Sequence, residues 1–513
     1  MNVEYVRDWT PTTPFVNVFR EARPWIPSGD PNVWDSGVDV PLDAQGYPLE
    51  IPYDNGVDPP QILQTVLLFA TNWDYPSGTY TLVYDGDGEV EVSLDSPEDY
   101  YVGGGICHRF SVRNPDAGLI LKILRSNKDN PVRNIRVILP GFETAYEVQP
   151  FHPTYVGRLR GFSVIRFMDW NETNENEIER WDERTTRDSA LQSRPLRGVA
   201  YEYMIQLANE VGSDPWFTVP HKVDDNYVVE MARLIKRELD PDKKIYIEYS
   251  NEVWNWSFGQ TKWVNEQGLI LGLATENGAA GWRYTAKRSA EIFKIFEDEF
   301  GAEKDRLIKV LASQASNPWV SEQIMEAFSQ SSINGVDVNP WGIRADALAI
   351  APYFGGWSEE LDANIADAII SNGELGTITV DDILDRAEKS ITQSAEWIRG
   401  SKAVADSHGL DLIAYEGGQH LVATGGNTNI GTLNEKLIAA NTHPRMYDLY
   451  RQYLNVWFDN GGGLFVHFNF VRSPNKHGSW GTLEYLDQPV EEAPKYRALL
   501  DALKEFGVTV ATP

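Results

Sequence analysis

The stretch Ile245-Tyr-Ile-Glu-Tyr-Ser-Asn-Glu-Val-Trp-Asn255 sets how the rest of this chain is read. Its first five residues are β-branched or aromatic around a single acid, the composition of a strand covered on both faces. It stops abruptly at Ser250-Asn251-Glu252, and Trp254 and Trp256 follow at once. On one side of it residues 227–239, and on the other residues 284–300, carry apolar side chains at spacings of three and four, so both are predicted helices. A buried strand between two amphipathic helices is one step of a parallel βα repeat.

The same rhythm recurs outward in both directions. Strands are predicted at 162–168, 216–219, 307–311, 347–351, 412–415 and 464–468, and further helices at 199–211, 380–398, 433–458 and 493–506. With Phe15-Val-Asn-Val-Phe19 as the candidate first strand, eight strands alternate with helices, so the expected fold class is α/β, a (β/α)8 TIM barrel. Residues 60–150 break the rhythm. Short β-branched or aromatic runs at 62–69, 78–84, 90–92, 110–112, 119–124 and 135–139, parted by turn residues, predict an inserted all-β sandwich or jelly-roll domain. The expected division is therefore 1–59 for the first barrel strand and its loop, 60–150 for the insertion and 151–513 for the remainder of the barrel. Asp85-Gly-Asp-Gly88 could offer oxygens to calcium, but without the rest of a loop of about twelve residues a hairpin turn is the simpler expectation. The insertion itself is read either as an ancillary carbohydrate-binding module or as a structural flange on the barrel.

Composition narrows the function. The 513 residues are 42% hydrophobic with 17 Trp, which argues against disorder and for large cores, and no run of about 20 apolar residues offers a membrane span. Lys and Arg total 45 against 75 Asp and Glu, and the net charge of -30 repels phosphate backbones and anionic lipid. Nucleic acid and membranes are thus not expected partners, and neutral ligands are. The single cysteine, Cys107, excludes an internal disulfide and thiolate metal clusters. Its neighbour His108 would face the other side of a strand, so a buried structural thiol is expected rather than a nucleophile. The eight histidines show no His-x-His or His-Glu-x-x-His spacing, and G-x-S-x-G, P-loop and post-strand dinucleotide patterns are absent, so neither metal nor cofactor is expected. The opening MNVEYVRDWTPTTPF lacks a basic segment followed by an apolar one, so no signal peptide is expected in this chain.

In a barrel of this kind the chemistry lies just past the carboxyl ends of the strands. Glu252 stands at such an end beside Trp254 and Trp256, and aromatic rings both seat the faces of pyranose sugars and raise a carboxyl's pKa by desolvation. The bland alternative is that Glu252 only caps the next segment. A second acid ends the strand in Leu412-Ile-Ala-Tyr-Glu-Gly-Gly-Gln-His420, where two glycines after Glu416 let a backbone or substrate come close. The fourth and seventh strands face each other across a small barrel. Two carboxylates about 5 Å apart there form a retaining pair, one protonating the leaving oxygen while the other attacks the anomeric carbon.

At this point the sequence resembles clan A of the retaining glycoside hydrolases, in the manner of family 5 cellulases. Its hallmark is an Asn-Glu acid/base after strand four and a Glu nucleophile after strand seven, here Asn251-Glu252 and Glu416. The resemblance covers the barrel and not the insertion. It implies Glu252 as acid/base, Glu416 as nucleophile, Arg166 beside the nucleophile, His221 in contact with substrate, Tyr353 orienting the nucleophile and Asn251 on a sugar hydroxyl. Clan members often carry a tryptophan on strand eight. Here Gly463-Leu-Phe-Val-His-Phe-Asn-Phe470 has none, and His467, Asn469 or Trp480 is expected in its place. Trp25, Trp170, Trp181, Trp254, Trp256, Trp319, Trp357 and Trp480 fall in presumed loops, where exposed rings would bind successive sugars. The polar loop 171–188 either covers part of the cleft or is a solvated excursion.

The expectation is a retaining, endo-acting hydrolase of a neutral β-glucan or β-mannan, with a polysaccharide or oligosaccharide as partner. The resemblance also implies an extracellular setting. A non-catalytic carbohydrate binder and a transglycosylase using the same two carboxylates are the rival readings, which product analysis separates.

Overall fold

The computed structural model of the protein describes residues 1–30, 32–69, 75–94, 100–103, 107–112 and 118–508. The chain forms two compact units: Met1–Glu4 with Arg158–Arg184 and Met204–Pro513, and Tyr5–Gly157 with Thr185–Tyr203.

In the second of these, β1 (Ile26–Ser28), β2 (Ile62–Leu67), β4 (Gly88–Leu94), β5 (Tyr100–Gly103) and β7 (Leu119–Ser126) make a five-stranded antiparallel sheet in the order β1-β2-β7-β4-β5. A three-stranded antiparallel sheet joins β3 (Gly78–Asp85), β6 (Cys107–Val112) and β8 (Arg133–Ile138) in the order β6-β3-β8. Alternation places these strands: in β7, Leu119, Leu121 and Ile123 are buried, with partly covered residues between. Asp85-Gly-Asp-Gly88 turns no hairpin, because β3 and β4 belong to different sheets. Both Asp85 carboxylate oxygens are taken by protein donors, Arg136 at 3.0 Å and Asn134 at 2.8 Å. Cys107 has its backbone in β6, and its thiol lies outside the described residues, as does the side chain of His108.

The other unit carries a parallel sheet in the order β18-β15-β12-β11-β10-β9, formed by β9 (Val164–Arg166), β10 (Asp214–Val219), β11 (Ile245–Tyr249), β12 (Leu307–Ala312), β15 (Ala347–Ile350) and β18 (Asp411–Ala414). Two short hairpins, β13 (Ser332–Ile333) with β14 (Val336–Asp337) and β16 (Trp357–Ser358) with β17 (Ala363–Asn364), complete the strands. Parallel bridges carry the ladder onward from Ala414 to Phe465 and from Arg166 to Asn2. The Asn2 N–H donates to the His467 carbonyl at 2.9 Å and joins the two ends of the ring. The first barrel strand is therefore the segment at residues 1–4 and not Phe15–Phe19. Phe15 and Asn17 instead form antiparallel bridges to Phe151 and Ile138, and the Asn17 side chain caps a 3-10 turn at Val18–Glu21 by accepting from the Phe19 N–H. A strand of four residues is too short for periodicity to register.

Helices follow the strands: α1 (Pro153–Leu159), α2 (Tyr201–Val211), α3 (Asp225–Glu238), α4 (Gly259–Ile270), α5 (Ala279–Phe300), α6 (Pro318–Phe328), α7 (Ile365–Ser371), α8 (Val380–Ser407), α9 (Gly431–Thr442), α10 (Arg445–Asp459) and α11 (Pro494–Glu505). The helix expected over 433–458 is two, because Pro444 cannot supply an N–H to a continuous helix. No helix among the described residues is long and apolar enough to cross a membrane.

One residue in two from each strand fills the ring. Val164, Trp216, Val310, Ala347, Ala349, Ile413, Tyr415 and Val466 form one buried cluster, with Tyr246 and Leu464 packed on it. The opposite parity packs outward against the helices. This parity decides which polar side chains can reach the mouth of the barrel.

Candidate active site

Glu248 shares its face of β11 with Tyr246 and so points into the ring, where it is fully buried. Arg166 ends β9 two residues beyond Val164 on the same parity and is also fully buried. Its guanidinium has five N–H donors, and five bonds leave it. Two go to Glu248 Oε2 at 2.9 and 3.1 Å, one each to Asn251 and Glu416 Oε1 at 2.9 Å, and one to Asn2 at 3.2 Å. Trp216 Nε1 donates to the same Glu248 oxygen at 2.8 Å.

This anchor fixes Glu416. One carboxylate oxygen takes the Arg166 N–H and the other takes the Tyr353 hydroxyl at 3.0 Å. Burial raises the Glu416 pKa above its ordinary value, opposed by the Arg166 charge and by the hydrogen bonds from Tyr353 and Arg166. Tyr353 touches the Trp480 ring, with centroids 5.9 Å apart, so the loop after strand eight brings an aromatic ring to the neighbour of Glu416.

Glu252 is held differently. The chain leaves β11 through Ser250 at φ 59° and Glu252 at φ 42°, left-handed conformations that non-glycine residues adopt at a cost of roughly 1–3 kcal/mol each. Tyr415 donates to Glu252 Oε1 at 3.2 Å and Asn255 to Oε2 at 2.8 Å. Among the described residues no cation reaches it within ion-pair distance. Burial first, then the charge of Glu416, pushes its pKa up to about 7, against the pull of Asn255 and Tyr415. Both acids are buried and pushed up, and they differ in that Arg166 holds Glu416 while no described cation pairs with Glu252.

Asn251 is buried and engaged, accepting from Arg166 and donating to Asn174 at 3.0 Å. Asn174 belongs to the polar loop that follows β9, and Gln260 donates to it and to the Asn251 carbonyl, so this loop lies on the site. His221 stands after β10, buried, with Nδ1 lacking a partner among the described residues. Burial, then the Lys222 charge, lowers its pKa to about 4. Its ring meets Trp263, and none of its bonds joins it to either carboxylate.

Strand eight reads otherwise than expected. Leu464 and Val466 face the ring, so His467 faces the helices, where Nε2 lies 2.9 Å from the Tyr450 hydroxyl of α10. Asn469 is buried and bonds Glu4. Neither joins the carboxylates, and Trp480 is the residue of the three that touches Tyr353, the partner of Glu416. Trp254 is half-buried, Trp256, Trp319 and Trp357 are exposed, and Trp170 is a core residue.

Sequence reading missed Glu248, Tyr415, Asn255 and Asn2. Glu248 and Tyr415 carried a legible signal, since a polar group at ring-facing parity inside a buried strand needs a partner. Asn2 carried none. Among the described residues no group of three or more His, Cys, Asp or Glu side chains could hold a metal ion.

A closed parallel ring with two carboxylates of opposed character at its carboxyl end is the class of site this fold defines. No family model matches the chain, and no curated protein matches it. Solved structures similar to it include the GH51 arabinofuranosidase from Xanthomonas axonopodis pv. citri, at 13% identity, 63% of this chain, 61% of that chain and TM-score 0.36. They include also the CBM22-1-GH10 modules of xylanase 10B from Clostridium thermocellum, at 11% identity, 88% and 92% coverage and TM-score 0.38. A third is a Bacteroidetes-affiliated GH5 cellulase, at 10% identity, 68% and 82% coverage and TM-score 0.34. The chain spans about three fifths of the arabinofuranosidase it matches. Likeness this distant carries no argument about activity, and the chemistry below rests on the site's own geometry.

Proposed function

We propose that this protein is a retaining glycoside hydrolase that cleaves β-glycosidic bonds within a neutral polysaccharide, a β-glucan or β-mannan, by double displacement. The observation that carries this is the division of labour between the two acids. Glu416 is held by Arg166 and Tyr353, whereas Glu252 has no cation partner among the described residues and a pKa raised to about 7.

In the first step a Glu416 oxygen attacks the anomeric carbon as Glu252 gives its proton to the glycosidic oxygen. The C–O bond breaks and the leaving sugar departs as an alcohol. In the second, Glu252, now a carboxylate, takes a proton from water. The water oxygen attacks the same carbon, Glu416 leaves, and the configuration is retained. Arg166 and Tyr353 steady the charge that Glu416 regains. Trp480 and the exposed rings of Trp256 and Trp357 are platforms for sugar faces, which favours internal cleavage of a chain. The antiparallel strands are read as a sandwich-type insertion, residues 60–150, following the first barrel strand.

Two measurements test this. Glu416→Ala should lose hydrolysis by several orders of magnitude, and azide should restore turnover as a glycosyl azide of inverted configuration. Proton NMR of the first anomer released from cello-, manno-, xylo- and laminari-oligosaccharides should show β product. Turnover like wild type by Glu416→Ala, or a first-formed α anomer, sinks the reading.

A further inference from the structure

Lys495 is a buried cation for which the two-acid chemistry has no use. It stands in the first turn of α11, the end of a helix that disfavours positive charge. It is 6% exposed, and among the described residues no carboxylate lies within ion-pair distance of its ammonium. Burial lowers its pKa to about 7, opposed by the more distant charge of Glu484. A methionine would fill the same space without these costs.

Its hydrogen bonds show what the ammonium holds. Nζ donates to the Ser479 carbonyl at 2.5 Å and to Asn441 Oδ1 of α9 at 3.3 Å. The same Ser479 carbonyl takes a second buried donor, Gln419 Nε2 at 2.8 Å, from a residue three positions beyond Glu416. One peptide oxygen thus ties α11 to the loop after strand seven. The next residue is Trp480, whose ring meets those of Tyr353, His420 and Phe468 edge to face, with centroids 5.9, 5.0 and 6.0 Å apart. Tyr353 in turn donates to Glu416. Trp480 Nε1 donates to the His477 carbonyl, and a Cβ on Gly478 would stand 2.3 Å from that nitrogen, so the ring is folded back on its own loop and moves with it.

We infer that Lys495 is a positioning residue for this aromatic platform. With Gln419 it fixes the Ser479 carbonyl, and so sets where the Trp480 ring meets a sugar held at Glu416. Charge–dipole hydrogen bonds suit this task, because they are short and directional where packing alone lets a loop slide. The inference rests on the reading of the barrel as a glycosidase.

A double-mutant cycle on the full chain tests it, with kcat/KM read on a β-linked oligosaccharide that the wild type hydrolyses. Lys495→Met should lower kcat/KM about tenfold, the loss of a hydrogen bond from a charged group. In a Trp480→Ala background the same change should cost less than about twofold, because the ring it positions is gone. A general packing role would cost the same factor in both backgrounds, and that result overturns the inference. So does unchanged kcat/KM in a Lys495→Met protein that melts as wild type does. Should Lys495→Met not fold, Gln419→Leu, which removes the other donor to the same carbonyl, is taken through the same cycle and decides alone. A wild type that hydrolyses no β-linked oligosaccharide takes down the barrel reading and this inference together, whereas an active wild type with equal losses in both backgrounds removes this inference only.

Discussion

Arg166 satisfies every N–H of its fork, and it bridges two buried carboxylates, Glu248 and Glu416. Arg166→Leu should therefore cost roughly 3–5 kcal/mol by urea unfolding at neutral pH, because Glu248 and Glu416 lose a buried counter-charge. Loss below about 1 kcal/mol, the worth of an exposed pair, would contradict this. Tyr415 acts on the other acid. Its hydroxyl donates to Glu252 and favours the ionised form, so Tyr415→Phe should move the alkaline limb of kcat/KM to higher pH and slow the second step of the proposed mechanism, which needs Glu252 as a base. An unmoved limb in a folded variant would make Tyr415 a packing residue only. Arg166, Tyr353, Glu252 and Glu416 were readable because each closes an apolar run at a predictable place. Glu248 hid inside such a run.

The glycines after Glu416 show how an element can be read correctly and explained wrongly. Sequence suggested that they admit a backbone or a substrate. In the fold they admit side chains: a Cβ on Gly417 would stand 2.5 Å from the Phe465 ring, and one on Gly418 would stand 2.8 Å from His467 Nε2 and 2.9 Å from the Tyr450 hydroxyl. Gly418 also sits at φ 140°, where a side chain is strained. Gly418→Ala should thus destabilise by about 2–3 kcal/mol in thermal or urea unfolding and lower activity through Glu416. A variant as stable as wild type would show that the α10 contacts yield freely. The start of α8, by contrast, was readable locally. Thr379 and Asp382 form a reciprocal cap at the start of α8, and Thr379→Ala should cost about 1 kcal/mol without touching kcat.

For the molecule entire, the raised pKa of Glu252 makes a statement about stability. Folding favours the protonated form, since the carboxyl titrates near 4.5 when unfolded and about 7 when folded. Its contribution is intact below 4.5 and is lost as pH climbs through 7. Glu252→Gln, which cannot ionise, should gain stability over wild type at pH 8 and gain much less at pH 5, as read from urea midpoints. Equal gains at both pH values would mean that Glu252 ionises normally.

The order of the later strands and helices and the two acids at the ends of the fourth and seventh strands follow from patterns a few residues long, which local chemistry enforces. Closure of the ring by residues 1–4, the outward turn of His467, the pairing of Glu248 with Arg166 and the hold of Lys495 and Gln419 on the Ser479 carbonyl do not. Each depends on parity and register between segments far apart in the chain, and burial selects those only when the sheets form.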